Sequence, residues 1–253
     1  VALSIDGERL PSQTVQIAAR SSAEAVFPVA FTRSGHHALE VEIEGDRLEI
    51  DDKRTSVVYV PPPTRVLLVD GDPRERIDED EVGYWRTVLE PAKGDQLGDA
   101  YSPFATQVVT VATFESAPPD LAEVDVLVLA NVGSLSPHTF KLLEEHVAGG
   151  TTLIIALGDR DANANAIESW NVRGWRADGT GLLPARLMNL VEVRSRREAY
   201  HRVTEFERDH PILSFFADER WQPLLTEVPI YAFVASEPVA GALVQVEVRA
   251  DRG

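Results

Sequence analysis

The sequence predicts an α/β domain built on a doubly wound parallel sheet and preceded by a small all-β domain. Three observations predict it. Val66–Val69 is a continuous apolar run closed by turn residues, and Val124–Ala130 and Thr151–Leu157 are predominantly apolar segments closed in the same way, as strands buried on both faces require. A helical pattern separates the second run from the third, which implies a right-handed crossover and parallel pairing. Residues 1–60 show short segments and two-residue alternation instead, and Pro61-Pro62-Pro63 then makes a stiff, short linker. The predicted domains are residues 1–62 and 63–253.

In the first domain, Val1–Ile5 runs into Asp6-Gly7, a strong hairpin signal. Thr14–Ala18 and Ala25–Phe31 are candidate strands. His37–Glu44 alternates, with Leu39, Val41 and Ile43 on one face and Glu40, Glu42 and Glu44 on the other. Asp51-Asp52 punctuates before Thr55–Val60. About six short strands at this spacing predict an immunoglobulin-like β-sandwich.

In the second domain, Asp70-Gly71-Asp72-Pro73 stops the first core strand. Arg74–Glu81 is rich in carboxylates and reads as the solvated start of a helix bearing Val82, Trp85 and Leu89. Gly94–Pro103 reads as a polar loop and Thr106–Val111 as a strand. Ser136 caps a helix over Pro137–Ala148, with Phe140, Leu143 and Val147 at helical spacing, and Gly149-Gly150 ends it. Ala162–Gly181 reads as a loop with a short helix. Leu187–Arg194, Ile230–Val234 and Ala242–Arg249 read as late strands. The first residue, Val1, is not an initiator Met, and the last strand stops at Asp251-Arg252-Gly253, so a fragment of a longer protein is expected.

Composition narrows the function. Hydrophobic residues make up 44% of the 253, enough for a real core. A net charge of −17 opposes binding to nucleic acid phosphates and to anionic membrane surfaces. Cysteine is absent, which removes disulfides, thiolate metal sites and cysteine nucleophiles. No apolar run approaches the roughly 18 residues of a membrane span, and no signal peptide opens the chain. The six histidines show no paired ligand spacing: His36-His37 falls at a turn, His138 and His146 on a surface helix, and His210 in Asp209-His210-Pro211. No Gly-x-Ser-x-Gly elbow, Walker loop or Gly-x-Gly-x-x-Gly occurs, and Ser134 reads as a loop residue ahead of a helix cap.

The segments Gly35–Val60, Val66–Pro73, Asp125–Val132, Gly149–Asp159 and Gly181–Ala185 together resemble the extracytoplasmic C-terminal portion of BatA-like proteins. That family is membrane-anchored and carries a von Willebrand factor A domain. Residues 66–159 are also similar to a class I glutamine amidotransferase-like domain, which is flavodoxin-like. Active members carry a cysteine at the sharp elbow after the strand that follows the Gly-Gly helix end. Here Ala156 falls at that place, and no His-x-Glu pair follows near the end of the chain. Losing such a nucleophile removes on the order of a millionfold in turnover. The resemblance therefore implies a retained fold without amidotransferase chemistry, in a periplasmic module of a membrane-anchored bacterial parent. Its partner would be a protein, or other domains of the same chain such as the von Willebrand factor A domain.

Ligands of open parallel sheets collect at the carboxyl ends of the strands. The candidate ligand-binding residues are accordingly Asp70, Asp72, Asn131, Ala156, Asp159 and Asp161, with no cofactor, metal or catalytic residue assigned. The plainer expectation is that these side chains cap helices and satisfy turn amides. A competing reading makes Asp70, Asp72 and Asp159 the centre of a hydrolase or metal-dependent enzyme. A third, a carbohydrate-binding module, requires Trp170 or Trp175 to be exposed beside the strand ends.

Overall fold

Three strand ends define the geometry of the candidate site; two of the strands behind them are buried on both faces, and the third is half-buried at the edge of the sheet. The computed structural model describes residues 1–43, 49–90, 102–193, 200–239, 242 and 246–249. They belong to two units, Val1–Arg65 with Arg86–Thr106, and Val66–Trp85 with Gln107–Gly253.

The first unit holds one antiparallel sheet in the order β2-β1-β3-β4, from β1 (Ala2–Ile5), β2 (Glu8–Arg9), β3 (Gly35–Glu42) and β4 (Lys53–Val60). Asp6 and Gly7 join β1 to β2 with φ of 51° and 86°, the left-handed pair that tight hairpins require. The alternation in β3 sets the register: Leu39 lies opposite Ile5, and Val41 opposite Leu3. β4 lies at the edge, with Val57 61% and Tyr59 56% exposed.

The strands predicted at Thr14–Ala18 and Ala25–Phe31 do not form, and residues 10–34 are irregular. Their apolar side chains find no face to cover, with Ile17 62% and Val26 72% exposed. Isolated bonds such as Gln13 N–H to the Val1 carbonyl replace a ladder. The described residues of this unit thus build one sheet, where an immunoglobulin-like sandwich needs two.

The second architecture is a four-stranded parallel sheet flanked by helices, in the order β6-β5-β7-β8. Its elements are β5 (Thr64–Asp70), α1 (Gly83–Leu89), β6 (Phe104–Thr110), α2 (Val111–Ser116), β7 (Val126–Ala130), α3 (Pro137–Ala148), β8 (Thr152–Ala156) and α4 (Ala164–Gly174). Asp70 pairs in register with Ala130, and Ala130 with Ala156, so three strands end at one level. Leu67, Leu68, Val69, Leu127, Val128 and Leu129 are each at most 2% exposed, as the continuous apolar runs require. Ser136 Oγ accepts from Thr139 N–H at 3.2 Å and caps α3 as predicted.

Three departures concern this half. The strand predicted through Val111 stops at Thr110, whose hydroxyl accepts from Thr113 N–H at 3.2 Å and starts α2. Ala162–Gly181 carries a full helix of 11 residues, nucleated by the Asn163 cap. The late strands leave the parallel sheet: β9 (Ala185–Glu192) pairs antiparallel with β11 (Ala232–Pro238). Likewise β10 (Arg202–Phe206), which the sequence reading missed, pairs with β12 (Val246–Arg249). A short helix α5 (Pro223–Thr226) precedes β11. The predicted loop at 94–101, Arg194, residues 243–245 and the last turn at 251–253 lie outside the described residues. Among the described residues no helix is long and apolar enough to cross a membrane.

Candidate functional site

Asn131 follows β7 and holds the strand ends together. Its φ of 51° lies in the left-handed region that asparagine tolerates better than most residues. Its backbone N–H donates to the Ala156 carbonyl at 2.9 Å, while Gly71 N–H donates to the Ala130 carbonyl at 2.9 Å. The Asn131 amide nitrogen donates to Glu81 Oε1 and to Asp159 Oδ1, both at 2.8 Å. Its amide oxygen accepts from Arg160 N–H at 2.8 Å. Asn131 is 1% exposed, and both polar atoms of its side chain are bonded within the chain.

Two glycines make room for it. A Cβ on Gly71 would stand 1.8 Å from the Asn131 carbonyl oxygen, and one on Gly158 would stand 2.3 Å from Asn131 Cγ. The space above β7, where a ligand of an open parallel sheet would sit, is therefore filled by Asn131 and two backbone segments. The Arg160 guanidinium donates to the Gly71 carbonyl and lies 4.0 Å from Asp72 Oδ1.

The candidate carboxylates divide by environment. Asp161 is 1% exposed and accepts from Gly133 N–H at 2.9 Å, Gly158 N–H at 3.1 Å and Trp170 Nε1 at 2.9 Å. Burial pushes its carboxyl up, and those three donors pull it back. Asp70 is 3% exposed, and burial followed by the charge of Asp80 pushes it up to about 6. Asp72 accepts from Arg74 Nε at 3.0 Å, and Asp159 is exposed apart from its bond to Asn131. Ala156 ends β8 in register with Ala130, and its side chain is only a methyl group. Among the described residues no group of three or more His, Asp or Glu side chains is placed to hold a metal ion.

Residues that the sequence does not nominate also contribute to the site. Asp80, Glu81 and Arg160 all reach the strand ends, although Arg74–Glu81 reads as a solvated helix start. The helix in fact begins at Gly83, and Val82 ahead of it is buried. The signal available was the pair Gly71 and Gly83, which bracket the acidic stretch. Trp170 is fully buried, edge-on to Phe140 at 5.1 Å, so it is core and lines no sugar groove. Trp175 packs against the same core. Ser134 lies in the loop before α3, and His210 accepts from Ile212 N–H at 3.3 Å within its turn.

A second polar cluster lies in the first unit. Asp6 Oδ1 accepts from Ala38 N–H at 2.9 Å, and Asp6 Oδ2 lies 2.7 Å from His37 Nδ1. His37 is a buried member of β3, and its Nε2 lies 3.0 Å from the Arg33 carbonyl. The Ala38 amide, and then His37, hold the Asp6 carboxyl below its usual range.

No protein-family model, curated protein or solved structure matches this chain.

Proposed function

We propose that the chain is a non-catalytic binding or scaffolding module that works by protein–protein contact or ligand sensing. The observation that carries this reading is the state of the strand-end crevice. Asn131 fills it, its polar atoms are spent on Glu81, Asp159 and Arg160, and the Ala156 side chain is only a methyl group. Acyl transfer of this class needs a hydroxyl or thiol nucleophile within hydrogen-bond reach of a base, and here the carboxylates of Glu81 and Asp159 face the Asn131 amide instead. The parallel sheet with its flanking helices is compatible with a flavodoxin-like, class I glutamine amidotransferase-like domain whose site is degenerate. The segments that resemble BatA-like proteins support placing it in a periplasmic part of a membrane-anchored bacterial parent, beside a von Willebrand factor A domain.

Two measurements on the purified chain test this together. Calorimetric titration with the von Willebrand factor A domain of the same parent is expected to show saturable heat. Ammonia release from glutamine and hydrolysis of an activated ester are expected to stay at the buffer rate. Turnover that saturates with substrate and disappears in Asp159→Asn would overturn the reading.

A further inference from the structure

His37 is 4% exposed, and each of its ring nitrogens faces an oxygen that can only accept. Nδ1 lies 2.7 Å from Asp6 Oδ2, and Nε2 lies 3.0 Å from the Arg33 carbonyl oxygen. A backbone carbonyl carries no proton, and an ionised carboxylate has none to give. The Asp6 carboxyl is held below its usual range, by the Ala38 amide first and then by His37, so it is the ionised form that His37 meets. A neutral imidazole owns one N–H. In either tautomer the other nitrogen would turn a lone pair on an oxygen lone pair at hydrogen-bond distance. The imidazolium, with a proton on each nitrogen, satisfies both contacts at once. The pair is no catalytic dyad, because Nε2, the atom that would serve a nucleophile, is spent on a carbonyl of the chain.

The Nε2 bond holds the bend that leads into β3. None of Phe31, Thr32, Arg33 and Ser34 is buried. Their ring contact, hydrogen bond and ion pair all end on His37 or Asp6. The Phe31 ring lies 4.7 Å from the His37 ring, the Arg33 carbonyl accepts from Nε2, and the Arg33 guanidinium lies 3.6 Å from Asp6 Oδ2. Gly35 follows with a φ of 120° and open space where a Cβ would sit, which gives the bend a pivot. We propose that His37 is a proton-operated clasp: its imidazolium pins residues 31–34 to the first sheet, and loss of the Nε2 proton lets the bend swing out about Gly35. The Nε2 proton is the one that leaves, to solvent, because Nδ1–H faces an anion and Nε2–H a neutral carbonyl. The charged groups that face the ring are Asp6, from the β1–β2 turn, and Arg33, from the bend itself. Val58, opposite His37 on β4, brings no charge, and the neighbouring His36 lies on the other face against Tyr59. The bend is therefore closed at the acid end and opens as pH rises. Opening uncovers the Phe31 and His37 rings.

The test is nitrogen-15 NMR of the full chain, labelled on the backbone and the histidine rings, from about pH 5 to pH 8, where histidine changes charge. At the acid end both His37 ring nitrogens are expected to carry slowly exchanging protons. As pH rises, the Nε2 proton is expected to be lost while the Nδ1 proton stays, with the amide signals of Phe31–Gly35 moving along the same one-proton curve. Asp6→Asn removes the anion and is expected to release the bend at lower pH. His37→Gln is expected to leave those amides unchanged with pH, and it serves should the hairpin not tolerate the first variant. Arg33→Ala keeps the carbonyl and deletes the ion pair, and is expected to retain the transition. A His37 ring with a single proton across the whole range would overturn the proposal. So would amides at 31–35 that stay still while His37 titrates, or a transition that vanishes in Arg33→Ala. The readout is the free chain, so the result is separate from whether a partner binds.

Discussion

Asp6-Gly7 and Asp70-Gly71 are the same dipeptide at the end of a strand, and they hold their carboxyls in opposite ways. Asp6 turns a hairpin with positive φ, and its oxygens face the Ala38 amide and the His37 ring. Asp70 ends a parallel strand, is 3% exposed, and accepts from one amide, that of Asp72. Donors around the first lower its proton affinity, whereas burial and a like charge raise that of the second. The glycines differ as well. Gly7 is needed for its φ of 86° and has open space where a Cβ would sit. Gly71 is needed because a Cβ there would collide with Asn131. A turn dipeptide thus specifies a local bend, while its ionisation and tolerance to change depend on what remote segments bring against it.

The sharpest way to break this comparison is at the glycines. Gly71→Ala is expected to cost about 3 kcal/mol or more, because the obstructing atom is backbone and cannot swing aside. A fall in the urea midpoint at unchanged slope checks it. Asp161→Ala comes next, at about 2 kcal/mol, since it strands the buried indole N–H of Trp170 together with two amides. Loss of near-ultraviolet dichroism from Trp170 should accompany the lower melting temperature.

The two aspartates then predict opposite pH limbs. The folded-state value of Asp70 lies above its unfolded one, so its contribution is greatest below pH 4 and falls as pH rises from about 4 to 6. Asp70→Asn should remove that decline, narrowing the difference in melting temperature between pH 5 and pH 7.5 by about 2–6 °C. Asp6 is shifted the other way, so its contribution is present above about pH 4 and is lost as pH falls through its lowered value. Asp6→Asn should flatten the acid limb of the same plot. The smallest expected effect is Gly7→Ala, about 1 kcal/mol from the left-handed backbone alone. If Gly7→Ala cost as much as Gly71→Ala, the distinction between a bend requirement and a packing requirement would fail.

Much of the fold was legible because its signals are local. The runs at 66–69 and 124–130 were readable as doubly buried strands, the run at 151–157 as a strand although it lies half-buried at the sheet's edge, and Ser136 with Gly149-Gly150 bounded α3. Residues 10–34 misled because Val15, Ile17 and Val26 have strand-forming side chains but no face to pack on. The late strands were visible, yet their departure from the parallel sheet was not, because pairing partners such as β9 and β11 are set by contacts across some forty residues. At the candidate site, Asp70, Asn131 and Asp161 could be found from their position after strands. Asp80, Glu81 and Arg160 could not, since charge-rich stretches read as solvated until their partners are known. Asp161, nominated for a ligand with turn capping as the plainer expectation, spends its oxygens on Trp170 and two amides, as that plainer expectation has it.

One further consequence follows from β4, the strand at the rim of the first sheet. Val57, Val58 and Tyr59 present apolar surface to water beside a row of backbone groups that β3 does not use. Such a rim templates cross-β stacking between molecules, and here the brake is electrostatic: Arg54 repels its counterpart, and the whole chain carries −17. Added salt shortens the reach of both repulsions. Fibril formation, followed by thioflavin fluorescence in concentrated samples, should therefore accelerate with ionic strength and slow again in Val57→Lys.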